Sequence, residues 1–163
     1  MTENTKVLNG MIEYFTADPK RINHLIKVYN YAIIICENEG IDFETKRLIE
    51  IASIVHDIGI KKSEEKYGSS SGKYQEIEGP PEAEAMLEKL GIEASVIERC
   101  SWLIGNHHTY NDITDIDHQI LVEADFLVNA YEDGMSQESI IAVRKKIFRT
   151  KSGIDLLETI FGL

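Results

Sequence analysis

Several features that mark large protein classes are scarce in this chain. Its 163 residues hold only two cysteines, three prolines and one tryptophan. Two cysteines cannot frame a disulfide-stapled scaffold, and a chain of this length can bury a core without one. Cys36 and Cys100 both fall within apolar helical patterns and read as buried, reduced thiols. Three prolines and eleven glycines are too few for a turn-rich β-protein or a disordered chain. The longest strongly apolar stretch, Tyr31–Cys36, is far too short to span a bilayer. The opening residues lack the apolar segment of a secretory leader, so a cytoplasmic location is expected.

Positive charge is scarce as well. Lysine and arginine number 17 against 28 aspartates and glutamates, a formal net charge of −11. Such a surface repels phosphate backbones and anionic lipid, which makes nucleic acid polymers and membranes poor partners. A small anionic substrate fits only where a metal or a few lysines neutralise it locally.

What the sequence does have is helical periodicity. A first helix is expected over roughly residues 3–16, ending before Asp18-Pro19, because the residue before proline disfavours helical geometry. Pro19 suits the first turn of a second helix, which runs to about Glu39 with Leu25, Val28, Ala32, Ile35 and Cys36 as its stripe and Gly40 as its stop. Asp42 is placed to cap a third helix with the stripe Leu48, Ile51, Ala52, Val55 and Ile58, ended by Gly59. The segment from Lys61 to Gly79, KKSEEKYGSSSGKYQEIEG, is polar and rich in serine and glycine; it reads as a long loop with at most a short helix. Helices return at roughly 79–90, 93–107, 117–131, 136–148 and 153–161. The expected fold is a single compact all-α domain over residues 1–163, of about seven to eight helices.

The histidines are His24, His56, His107, His108 and His118. His56-Asp57 falls at the end of the third helix, where the macrodipole and free carbonyls favour a cation. Imidazole with carboxylate suits Zn, Mn, Fe, Co or Ni. The dipeptide alone says little, since a helix end meeting solvent explains it equally. Asp125 is more informative, because it lies inside Ile120-Leu-Val-Glu-Ala-Asp-Phe-Leu-Val, an almost wholly apolar run. A carboxylate there needs a cation, an arginine such as Arg21, or several donors. His24 follows Arg21 on the same helical face and alone reads as a hydrogen-bonded residue at the core edge. Trp102 sits in a helical stripe and reads as core, whereas Tyr74 and Tyr110 fall in expected loops and are candidates to stack on a base.

The order lone His, then His-Asp, then a distant Asp resembles the HD-domain superfamily of metal-dependent phosphohydrolases. The matching residues are His24, His56-Asp57 with Ile58-Gly59 completing the HDIG form, and Asp125; Arg21 precedes the first histidine as in the family's frequent opening. The resemblance spans about Pro19 to Tyr131. It implies an all-helical fold whose central helices hold a divalent ion through His24, His56, Asp57 and Asp125. His107-His108 look like the additional histidines with which some members hold a second metal, and Glu78 stands roughly where those members place another histidine. Members that cleave cyclic dinucleotides carry Gly-Tyr-Pro after the tandem histidines; Thr109-Tyr-Asn here disfavours that activity.

By resemblance, the expected activity is hydrolysis of a phosphate ester or anhydride of a nucleotide or similar small molecule by metal-activated water. Asp57 would orient the water and take its proton. Arg21 is the first candidate to stabilise phosphoryl charge, with Lys61, Lys62 or Lys73 behind it and Tyr74 and Tyr110 beside the substrate. The alternatives are a dinuclear-iron oxygenase of the same fold, which needs Glu78 and His107 as ligands, and a non-catalytic nucleotide or metal sensor. A homodimer through the stripe Ile154, Leu157, Ile160 and Phe161 is a further expectation.

Overall fold

The structure, a computed structural model, describes residues 1–163. Nine helices and no strand follow in order: α1 Glu3–Tyr14, α2 Pro19–Glu39, α3 Phe43–Val55, α4 Gly59–Tyr67, α5 Gly72–Lys89, α6 Ala94–Ile104, α7 Ile116–Glu132, α8 Gln137–Ile147 and α9 Lys151–Phe161. The all-α expectation holds, with α4 as the added helix. Caps set the early boundaries where the sequence places them. The Asp18 carboxylate accepts from the Arg21 N–H at 3.1 Å, with Pro19 in the first turn, and Asp42 accepts from the Thr45 N–H at 3.0 Å. Gly40 closes α2 at φ 66°, a left-handed conformation that glycine adopts at no steric cost.

The stretch 61–79 corrects the expected loop, for α4 and α5 occupy it and only residues 68–71 lie between them. Their buried faces are made of small and polar residues: Gly59 and Ser63 on α4, and Gln75, Glu78 and Gly79 ahead of Ala83 and Leu87 on α5. Apolar periodicity is therefore absent from helices that are nonetheless packed. The cause is a close approach of backbones. A Cβ on Gly59 would stand 2.6 Å from the Gly79 nitrogen and 2.8 Å from the Gln75 carbonyl oxygen. Gly59 thus opens α4 instead of merely ending α3. Helix α5 also carries Pro80 and Pro81 in its interior rather than starting beside them. The carbonyls of Glu76 and Ile77 lose helical partners there, at a surface where Ile77 is exposed.

Helix α2 packs on α3 and α7, α3 also meets α6 and α7, and α5 packs on α4 and α6. One apolar cluster joins α1, α3, α5 and α6 through Met11, Ile54, Leu87 and Leu103. Another joins α2, α7, α8 and α9 through Ile35, Leu127, Ile140 and Leu157. Helices α2, α3 and α7 supply residues to both, such as Leu25 and Val28, Ile51 and Ile49, Leu121 and Ile120. Each such side chain contributes about 1.5–3 kcal/mol on burial, so these three helices are held from two sides. They are also the helices that present the candidate ligands.

Cys36 and Cys100 are free and buried, as expected. Trp102 is not core: it is 43% exposed on α6, with the Arg99 guanidinium 4.3 Å over its ring. The α9 stripe mostly packs within the chain, where Leu157 is buried, Ile154 and Phe161 are half-buried and Ile160 is 42% exposed. No helix is long and apolar enough to cross a membrane.

Candidate metal centre

His24 projects from the second turn of α2, His56 and Asp57 from the tight turn between α3 and α4, and Asp125 from the middle of α7. The turn is closed by Ile58 N–H donating to the Val55 carbonyl at 3.0 Å and by Ile60 N–H donating to that of Asp57 at 3.0 Å. His24 Nε2 lies 3.4 Å from Asp57 Oδ2 and 3.2 Å from Asp125 Oδ1. His56 Nε2 lies 3.5 Å from Asp57 Oδ1 and 3.4 Å from Asp125 Oδ1. Ligand atoms of His24, His56 and Asp57 fall within 4.8 Å of one another, and Asp125 approaches both imidazoles.

The rings are aimed from behind. Nδ1 of His24 is 2.8 Å from Glu132 Oε2, and Nδ1 of His56 is 2.9 Å from the Ser53 carbonyl oxygen. Donation to these acceptors puts a proton on Nδ1 and leaves the Nε2 lone pair facing the carboxylates. Both Nε2 atoms are buried and have no hydrogen-bond partner. Lone pairs facing carboxylate oxygens are unfavourable unless a cation stands between them, and a proton or a metal ion satisfies that requirement. Two imidazoles and two carboxylates are a donor set that fits a divalent transition metal.

Without a metal, protons meet the same need. Burial works against the charged form of His24, but its approach to Asp125 and the charge of Asp57 outweigh this and raise its pKa to about 9. His56 is raised in the same way, with burial opposed by Asp57 and then Asp125. Burial would raise both aspartates, yet the imidazoles hold Asp57 and Asp125 well below the usual carboxylate range. Glu123 provides the contrast on the same helix. It is also fully buried, but Gln119 Nε2 and the N–H groups of Arg149 and Thr150 donate to its Oε1 at 2.6, 2.7 and 3.0 Å. Glu123 is satisfied as a structural carboxylate; Asp125 faces two imidazoles, with one Asn129 amide donating at 2.9 Å.

A second cluster shares Asp57 and adds His107 and His108. His107 Nδ1 donates to the Ile104 carbonyl at 2.7 Å, and its Nε2 lies 3.2 Å from Asp57 Oδ1. Burial, then the neighbouring His107, push the His108 pKa down to about 4, so this ring is neutral at pH 7. Its Nε2 is 3.2 Å from Gln75 Oε1. Glu78 is not brought to this cluster. Its carboxylate receives Lys66 Nζ at 2.9 Å on each oxygen and the Tyr67 hydroxyl at 2.8 Å.

His24 and Asp57 line a cavity of roughly 500 Å³, while His56 and Asp125 stand behind them. Arg21 and Tyr110, two of the residues expected to contact substrate, also line it. The guanidinium of Arg21 is already engaged, by Asp18 at 2.7 Å and Glu64 at 2.5 Å. Three other expected contacts are not at the cavity. Lys61 donates to the Tyr14 carbonyl at 3.1 Å on the α1 side, Tyr74 stacks on Tyr67 with centroids 4.1 Å apart, and Lys73 is exposed on α5. Each misplacement follows from α4 and α5 being helices, which turn these side chains to other faces. Sequence reasoning missed Lys20, Gln75, Asn129 and Glu132, all of which line the cavity. A signal existed for Asn129 and Glu132, which follow Asp125 by one and two helical turns on the same face.

The comparison with curated proteins gives no match. A crystal structure titled as a predicted HD superfamily hydrolase, from an uncultured Thermotogales bacterium, superposes with a TM-score of 0.68. The two are 23% identical, with 97% of this chain and 84% of that one covered, so the likeness establishes the shared fold. The HD domain family model matches residues 21–145, well over half of the chain and the whole span from Arg21 through Asp125. The chain therefore belongs to the HD-domain family.

Proposed function

We propose that this chain is a metal-dependent phosphohydrolase that cleaves a small phosphate ester, with His24, His56, Asp57 and Asp125 holding a divalent metal. The supporting observation is the pair of buried, unpartnered Nε2 atoms of His24 and His56, turned towards two carboxylates at the back of a cavity. When bound, a metal there supplies an activated water and polarises a phosphoryl oxygen. Asp57 does what the other carboxylate cannot. Its side chain is 13% exposed against 6% for Asp125, and it borders the cavity, so it can orient a water and accept its proton. His108 and Gln75 border the same space as neutral hydrogen-bonding groups. Nucleotides are the first substrates to test, because Phe126 and Tyr110 on the cavity wall offer flat apolar surface to a base.

The test is phosphate release from a panel of phosphate esters by protein loaded with Mn, Fe, Co, Ni or Zn. Asp57→Ala is expected to lower kcat at least about a hundredfold, and retention of full activity in that variant contradicts the assignment. The second cluster favours a second reading, in which Asp57, His107 and His108 hold a further ion without Glu78. His107→Ala then halves the bound metal, whereas in a mononuclear centre it leaves the metal content unchanged. Two irons per chain with oxygen consumption and no phosphate release favour an oxygenase.

A further inference from the structure

The charges around the cavity limit how many phosphates a ligand can bring. Two cations border it, Lys20 and Arg21. Arg21 is neutralised by Asp18 and Glu64, which leaves Lys20, with no ion pair of its own. Glu132 and Asp133, at the end of α7, border it as well. Both oxygens of Glu132 are engaged, one with His24 and one with Lys27 at 2.8 and 3.0 Å, while the Asp133 carboxylate has no cationic partner. The opening therefore presents one uncommitted positive charge and one uncommitted negative charge.

A terminal phosphate dianion needs a metal and one cation beside it, and this site has both on the reading proposed above. A second or third phosphate needs further cations, which polyphosphate sites supply as several lysines, arginines or extra magnesium. Here the remaining uncommitted charge on the lining is Asp133, which repels them. The same carboxylate, with the free carbonyl oxygen of the Asn129 amide, accepts hydrogen bonds from hydroxyl or amino groups. We propose that the site is selective for phosphate monoesters with an uncharged leaving group bearing hydroxyl or amino groups, and that it rejects di- and triphosphates. The proposal rests on the phosphohydrolase reading. Nucleoside monophosphates and sugar phosphates share this chemistry.

The experiment compares kcat/KM for adenosine 5′-monophosphate, diphosphate and triphosphate at fixed ionic strength, using metal-loaded protein whose metal content has been measured. Ribose 5-phosphate and p-nitrophenyl phosphate complete the set. The monophosphate is expected to exceed the diphosphate and triphosphate on the order of tenfold, a ratio that shrinks as salt screens Asp133. Asp133→Asn, an exposed substitution, is expected to narrow that ratio by raising the turnover of the diphosphate. It should weaken ribose 5-phosphate but not p-nitrophenyl phosphate, which has no hydroxyl to offer. Preference for adenosine monophosphate over ribose 5-phosphate identifies the nucleoside source, and the reverse identifies the sugar source. Diphosphate or triphosphate turned over as well as the monophosphate overturns the substrate class and leaves the hydrolase reading standing. Phosphate release from none of the five, with metal bound, overturns both.

Discussion

Glu132 determines which nitrogen of His24 is free. Its Oε2 takes the Nδ1 side at 2.8 Å while Lys27 holds its other oxygen at 3.0 Å, so the imidazole is fixed in both tautomer and direction. Glu132→Gln keeps an acceptor but removes the charge that raises ligand basicity. It is expected to weaken metal binding by about ten- to a hundredfold, as loss of such outer partners does elsewhere. Competition with a chromogenic chelator reads the affinity directly, and unchanged affinity contradicts the positioning role. The proton on His24 gives a second expectation. A metal needs the neutral imidazole, and His24 stays protonated up to about 9 in the metal-free chain. Metal affinity should therefore climb as pH rises from 6 towards 9 and level off above. A flat profile between pH 6 and 9 contradicts this.

Between helices, the meeting of α4 with α5 decides where the His-Asp turn sits. Gly59 follows that turn by two residues and lies against the backbone of Gln75 and Gly79, with no space for a methyl group. Gly59→Ala should cost about 1–3 kcal/mol or more, since the obstructing atoms are backbone and cannot rotate away. A urea titration of the metal-free protein measures it, and an unchanged midpoint means that the helices are free to part. Much of the architecture was legible at this scale. Asp18, Pro19, Gly40 and Asp42 announce the ends of α1, α2 and α3 through cap chemistry that depends only on near neighbours. Helix α4 and the first half of α5 were not legible, because Gly59, Ser63 and Gly79 pack through smallness and Gln75 through polar contacts, which leaves no apolar stripe to detect. The cluster of candidate ligands was legible as a pattern in His24, His56-Asp57 and Asp125. The commitments of Arg21 to Glu64 and of Glu78 to Lys66 were hidden, since each depends on where α4 lies.

For the whole molecule, the proposed centre would tie together elements that otherwise meet through packing. On the proposed ligation, one ion held by α2, the α3–α4 turn and α7 would bind the folded chain and not the unfolded one, and so would add to stability by mass action. At a free metal concentration a hundredfold above Kd the gain is about 2.7 kcal/mol. For a domain of this size that corresponds to a rise in Tm of roughly 5–10 °C. Calorimetry before and after chelation tests it, and an unchanged Tm contradicts ligation by separate helices. The net charge of −11 acts at the same scale, since it attracts cations generally and repels polyanions. A specific centre must therefore be separated from loose surface binding.

Elemental analysis makes that separation when tag-free protein is exchanged into metal-free, high-salt buffer and compared with Asp125→Asn prepared identically. Asp125 is buried behind the cavity, so its loss removes a ligand without changing the surface that meets solvent. At least one transition-metal ion per wild-type chain, lost in the variant while its helical circular dichroism persists, is the predicted result. No bound metal in the wild-type protein, or equal metal in the two, would contradict the assignment of His24, His56, Asp57 and Asp125 as the centre.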